Sequence, residues 1–258
     1  MDNNICRRFL TRTVLVLAIA ALAASAEAQQ NSAAVNPAAI KALNDMASYL
    51  RNLKAFQVES SITTDEVQDD GQLIQYTAKI NFVVQMPNKL LATASGDRNE
   101  RSFIYDGQTF TMFAQRAGYY ATVPAPPTLR ELDDALSEKY DIELPLVDLF
   151  RFGSPNWKGA DIKAATDVGP SEVGGVTCEH YAFRQDDVDW QVWIQKGEHP
   201  LPRKLVITTT SEAERPQHTA TYTWNLAPSF NRESFTFVPP AGARKIVLAT
   251  VGEPQGDK

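Results

Sequence analysis

The chain has 258 residues, 43% of them hydrophobic, a formal net charge of −6 and two cysteines. The acidic balance argues against a nucleic-acid partner, which needs a basic face to release counterions from phosphates. The cysteine count excludes a disulfide scaffold, so the fold must be held by a hydrophobic core.

The first residues read as a secretory signal. Arg7, Arg8 and Arg12 precede an apolar run from Val14 to Ala24, followed by small residues ending Ala26-Glu27-Ala28, the charged, apolar, A-x-A order of export. Cleavage is expected before Gln29, with Ala24-Ser25-Ala26 as a second site. The run is too short for a permanent anchor, and Cys6 precedes it, so it is not the acylated first residue of a lipoprotein. A soluble periplasmic protein is expected, with residues 1–28 as signal peptide, no integral membrane anchor, and residues 29–258 as one domain. Removing the signal makes the balance one unit more negative and leaves Cys178 as the remaining thiol.

The mature chain reads as a helix, a strand meander, a helical insertion at about 128–152 and a second meander. Asn36-Pro37 caps a helix over 38–53 with Ile40, Leu43, Ala47 and Leu50 at helical spacing. From Phe56 the pattern alternates: Phe56, Val58, Ser60 and Ile62, a turn at Asp69-Asp70-Gly71, then Tyr76, Ala78, Ile80 and Phe82 on one face. Asp106-Gly107 marks another hairpin, between residues 102–105 and 109–113. Pro124, Pro126 and Pro127 stop the strands, and Thr128 caps a run that places Leu129, Leu132 and Leu136 on one side. A second short helix is expected from Pro145 through Phe152, with Leu146, Leu149 and Phe150 on one side. These are the candidate lid helices. Strands are expected again at 162–166, 176–184, 190–195, 205–211, 219–226 and 235–237.

Groups that suggest chemistry each have a plainer reading. Cys178 and His180 share a strand face, as a nucleophile and base would, but no orienting third group or oxyanion site accompanies them, and a buried thiol beside a hydrogen-bonded histidine is favoured. His180, His199 and His218 fall in three segments without metal-ligand spacing, so no metal and no cofactor is expected. Asp186, Asp187 and Asp189 lack the glycine and distal glutamate of a calcium loop. Gly169-Pro170 and Gly174-Gly175 read as turns. Glu131, Asp133 and Asp134 beside Arg130 read as the outer face of an amphipathic helix. The chain is therefore not expected to be an enzyme.

The aromatic distribution is more informative. Phe82, Phe103, Tyr105, Phe110, Tyr119, Trp190 and Trp193 fall on successive predicted strands. They either pave one concave apolar face that holds a ligand or fill a core packed against helices, and alternation alone leaves both open.

The order of Met86-Pro87-Asn88-Lys89-Leu90, then Tyr105-Asp106-Gly107-Gln108-Thr109-Phe110, then Phe235-Thr236-Phe237-Val238-Pro239-Pro240-Ala241-Gly242-Ala243 resembles the landmarks of the LolA family, the periplasmic lipoprotein carriers. Tyr119-Tyr120-Ala121, Pro124-Ala125-Pro126-Pro127, Leu144-Pro145-Leu146-Val147-Asp148-Leu149, Cys178 through Arg184 and Asp189 through Ile194 are more closely similar to a family of predicted periplasmic proteins from which no activity carries over. The carrier resemblance implies a mainly β, α+β fold: a LolA-like curved antiparallel sheet or half-barrel of about eleven strands, with an N-terminal helix and mid-chain lid helices. It implies a non-enzymatic carrier or binder of a lipid, lipoprotein acyl chain or other apolar ligand. The alternatives are a sensor or adaptor that binds an envelope protein and, third, a hydrolase using Cys178 and His180. One position departs from the carriers: where their arginine helps hold the lid, this chain has Met86, which cannot donate those bonds.

Overall fold

The computed structural model describes residues 35–145 and 161–251. The signal segment therefore lies outside the described residues, as does most of the second expected lid helix, with Leu146, Leu149 and Phe150.

Helix α1 (Pro37–Asn52) starts where Asn36 Oδ1 accepts the Ala38 N–H at 2.8 Å and Pro37 occupies the first turn, where no intrahelical donor is needed. Its buried stripe is Ala39, Leu43, Met46, Ala47 and Leu50, with Ile40 only half-buried. The chain then enters β1 (Ala55–Val67) and β2 (Leu73–Gln85), two strands of 13 residues. Strands β3 (Lys89–Gly96), β4 (Glu100–Tyr105), β5 (Thr109–Ala114) and β6 (Tyr119–Pro124) complete the first meander. Helix α2 (Leu129–Tyr140) follows. The second meander is β7 (Ala164–Val173), β8 (Val176–Arg184), β9 (Val188–Gln195), β10 (Pro202–Thr209) and β11 (Gln217–Asn225).

All strands join one open sheet in the order β12-β6-β5-β4-β3-β2-β1-β11-β10-β9-β8-β7, where β12 is the two-residue Arg244–Lys245. Among these strands every pairing is antiparallel except β12 with β6, and Val35 adds an isolated parallel bridge to Ala165. The two meanders meet where β1 pairs with β11, Ser60 opposite Tyr222. The mainly β, α+β class is as expected, and the short parallel edge strand takes the sheet to twelve.

Side chains alternate across the sheet, and the register defines its two faces. Phe56 and Val58 of β1, Val84 and Phe82 of β2, Leu90 and Ala92 of β3, and Tyr105 and Phe103 of β4 share one face by direct pairing. This inner face forms one buried cluster with Leu43, Met46 and Leu50 of α1 and Leu132 and Leu136 of α2. The helices therefore roof the sheet where a sandwich would place a second sheet.

Three local expectations are corrected. Residues 235–237 do not form a strand: Asn231 Oδ1 accepts the N–H groups of Glu233 and Ser234 at 3.0 Å and caps a 3₁₀ turn over Arg232–Phe235, a local bond that competes with a ladder. Gly169-Pro170 is not a turn but lies within β7, at a register shift between Asp167 and Gly169; an edge strand tolerates a residue without an amide donor. Asp133 is buried. It stands four residues after Leu129 and three before Leu136, on the apolar stripe itself.

Candidate functional site

The inner face gathers five of the seven predicted ligand residues. Phe82, Phe103, Tyr105, Phe110 and Trp190 are all at most 6% exposed and belong to the roofed cluster. Phe103 stacks on Phe110 with centroids 6.2 Å apart, and Trp190 stacks on Phe183 at 4.1 Å.

The other two residues lie apart from this group. Tyr119 has inner-face parity but is half-buried at the edge, where the Arg244 guanidinium sits 4.5 Å over its ring and bonds its hydroxyl. Trp193 stands three residues from Trp190, so the two-residue period sends it to the opposite face. There it stacks on His180 at 3.9 Å, its Nε1–H donates to Ser171 Oγ at 3.1 Å, and Lys204 Nζ lies 4.7 Å above it. Phe56 and Trp224, whose rings are 5.7 Å apart on the inner face, and Ser60 between them and the rim belong to the same surface, although none is among the seven expected ligand residues. The alternation that picked Phe82 carried the same signal at Phe56 and Ser60.

The roof is held at identifiable points. At α2, Thr128 Oγ1 accepts the Glu131 N–H at 3.3 Å and donates to Glu131 Oε2 at 2.8 Å. The Leu129 N–H donates to the Pro87 carbonyl at 2.9 Å, the Ala125 N–H to the Gln108 carbonyl at 2.8 Å, and the Tyr105 hydroxyl to the Pro126 carbonyl. These bonds fix the start of α2 to the β2–β3 turn and to the β4–β5 hairpin. Met86 takes no part in that set. Its side chain is exposed and its N–H donates to the Lys54 carbonyl at 2.8 Å, while the helix is held at Pro87 by the one backbone bond from Leu129.

The β4–β5 hairpin is rigid for local reasons. Gly107 has φ +89°, and Asn88 side-chain atoms lie 2.7–2.9 Å from where a Cβ would stand; other residues are strained in such a conformation. Burial pushes the Asp106 carboxyl up, yet bonds from the Thr109 and Gln108 N–H groups, the Thr109 hydroxyl and nearby Lys89 bring it below its ordinary value. Burial pushes the Tyr105 phenol up to about 12, with Glu131 and Asp106 adding to the shift. The donor to Pro126 thus stays protonated through neutral pH.

At α1, the Tyr49 hydroxyl and His199 Nδ1 are 2.8 Å apart, tying the helix to the β9–β10 loop. Among the described residues no three His, Cys, Asp or Glu side chains are grouped to hold a metal ion. Cys178 is fully buried, its Sγ–H donates to the Val176 carbonyl at 3.4 Å, and burial raises its pKa. His180 Nε2 instead meets Gln191 Oε1 at 2.9 Å, and burial lowers its pKa. The two groups are separately bonded, and a protonated thiol is a poor nucleophile. Asp189 bonds Arg184 at 2.7 Å and Arg215 at 3.4 Å, while Asp186 pairs with Lys163 at 3.5 Å.

Residues 39–249 match the model of a family described as predicted periplasmic protein (DUF2092). No curated protein matches the chain. Among solved structures, LprF from Mycobacterium bovis is 12% identical, covering 81% of this chain and 99% of its own, with a TM-score of 0.45. MucB in complex with MucA(peri) is also 12% identical, covering 81% of this chain and 62% of its own, at 0.42. A LolA superfamily protein from Nitrosomonas europaea is 13% identical, covering 77% and 97%, at 0.32. No helix among the described residues is long and apolar enough to cross a membrane.

Proposed function

We propose that this chain, which belongs to the DUF2092 family of predicted periplasmic proteins, is a non-enzymatic periplasmic carrier or binder of a lipid, a lipoprotein acyl chain or another apolar ligand. The observation that carries this reading is the inner face, an aromatic and aliphatic surface shared by both meanders and roofed by two short helices. A core roofed by helix α2 opens when that helix lifts, exposing an apolar surface with few polar groups, the usual character of small-ligand sites.

On this reading Phe82, Phe103, Tyr105 and Phe110 form the floor, with Trp190 on the second meander. Leu129, Leu132 and Leu136 form the moving roof. Tyr119 edges the floor, and Trp193 serves the outer face. Cys178 and His180 have structural roles.

The test is uptake of a fluorescent long-chain fatty acid by the detergent-free protein and by Tyr105→Phe, which removes one bond from the α2 attachment without emptying the core. Saturable uptake by the wild type, faster in the variant, is expected. No uptake by either protein, together with a stable complex with an envelope protein recovered free of lipid, would replace this reading with the adaptor.

A further inference from the structure

In the middle of the central strand β1 the register places Ser60 on the inner face, between Ile80 of β2 and Tyr222 of β11. It is 3% exposed, and its Oγ has no hydrogen-bond partner among the described residues. A buried hydroxyl of this kind is unfavourable in the empty protein, since it gives up water without replacing it. Alanine would fill the same position at no such cost.

The surroundings suit a group arriving from outside. Ile62, the next inner-face residue of β1, is flanked by Ala78 and Ala220, and Ile80 by Ala94 of β3, so the floor beside Ser60 is low. Farther along the strand Thr64 lines a cleft of about 360 Å³ with Glu66, Ile207, Thr209 and His218. Thr64 lies about 13 Å from Ser60 at the usual strand rise, with its hydroxyl bonded to His218 Nδ1 at 2.9 Å. In the other direction the face is unbroken hydrocarbon, from Val58 and Phe82 to Phe103 and Phe110.

We propose that Ser60 Oγ is the internal anchor of the ligand, donating to the carbonyl oxygen of an ester-linked acyl chain. The chain lies over Phe82, Phe103 and Phe110, and the head group points toward the Thr64–His218 cleft. The inference rests on the binder reading and narrows its ligand class from apolar molecules in general to acyl esters.

The test uses two probes of matched length, monopalmitoylglycerol and its ether analogue hexadecylglycerol, which lacks the carbonyl. Wild-type protein is expected to bind the ester about tenfold more tightly, the worth of one buried hydrogen bond. Ser60→Ala should lose that preference through weaker ester binding, with ether binding unchanged. The empty Ser60→Ala protein should also melt higher, by about 2–4 °C. A lower melting temperature would show that the hydroxyl has a structural partner and would overturn the anchor. Equal binding of both probes by the wild type, or a preference that survives in Ser60→Ala, would also overturn it while leaving the binder reading intact. Binding of neither probe would remove both.

Discussion

The two helices cover the same sheet face but are attached to it differently. Helix α1 buries five side chains and runs directly into β1, and Tyr49 ties it to the β9–β10 loop. Helix α2 buries Leu132, Asp133 and Leu136. It is held at its start by Leu129, Ala125 and Tyr105 and at its end by the Val251 N–H on the Lys139 carbonyl at 2.9 Å. Fewer buried apolar side chains and attachment through a few hydrogen bonds lower the free energy of local opening. In this account α1 belongs to the folding core and α2 to a cover that lifts separately.

The largest effect expected from this contrast is at α1. Leu43→Ala should cost about 2–5 kcal/mol of global stability, read by denaturant titration as a lower midpoint with unchanged slope. Leu132→Ala removes an equally buried side chain, but its effect should be concentrated in α2. Amide exchange over 129–140 should accelerate while the β1 and β2 amides keep their protection. Equal acceleration throughout the sheet would mean that the two helices open together, and the contrast would be lost.

Tyr105→Phe is expected to cost about 1 kcal/mol, the worth of one hydrogen bond, again felt in α2. Its pH dependence has a definite sign. The folded phenol titrates near 12 against an ordinary 10.0, so its stabilising contribution is complete below pH 10 and is lost as pH rises toward 12. Thermal melts of the wild type should show this alkaline loss, and those of Tyr105→Phe should show less of it. Identical alkaline limbs would remove Tyr105 from the account. The smallest effect on binding should come from Trp193→Ala, which should leave fatty-acid affinity unchanged because that ring packs on the outer face. A large loss of affinity there would move the site to the other side of the sheet.

Much of the architecture was legible because its signals are local. The Asn36-Pro37 cap, the Asp-Gly hairpins and the two-residue alternation set α1 and the first meander, and Thr128 with leucines at helical spacing set α2. Burial was harder to read where a single period decides the outcome. Trp190 and Trp193 are both aromatic residues on one strand, yet three-residue spacing separates them by face, and the register shift between Pro202 and Lys204 in β10 adjoins Trp193. In the C-terminal segment Phe235 and Phe237 alternate as a strand would. Tertiary packing uses them differently: Phe235 is buried beyond the Asn231 cap, and Phe237 lies against Phe113 and Tyr120 at 5.6 and 5.1 Å. The attachment of α2 at Pro87 has no sequence signal, because its bond joins two backbone groups that carry no residue signature. Ser60 was visible as part of an alternating run, but its lack of a partner emerges only when β2 and β11 close around it.

Native mass spectrometry of the protein purified from periplasm without detergent, followed by organic extraction, shows whether the roofed inner face holds an apolar ligand. A bound species that dissociates as an acyl lipid or lipoprotein is expected, and lipid added back to the stripped protein should restore the same mass. Bare protein that takes up no added lipid would contradict the binder reading.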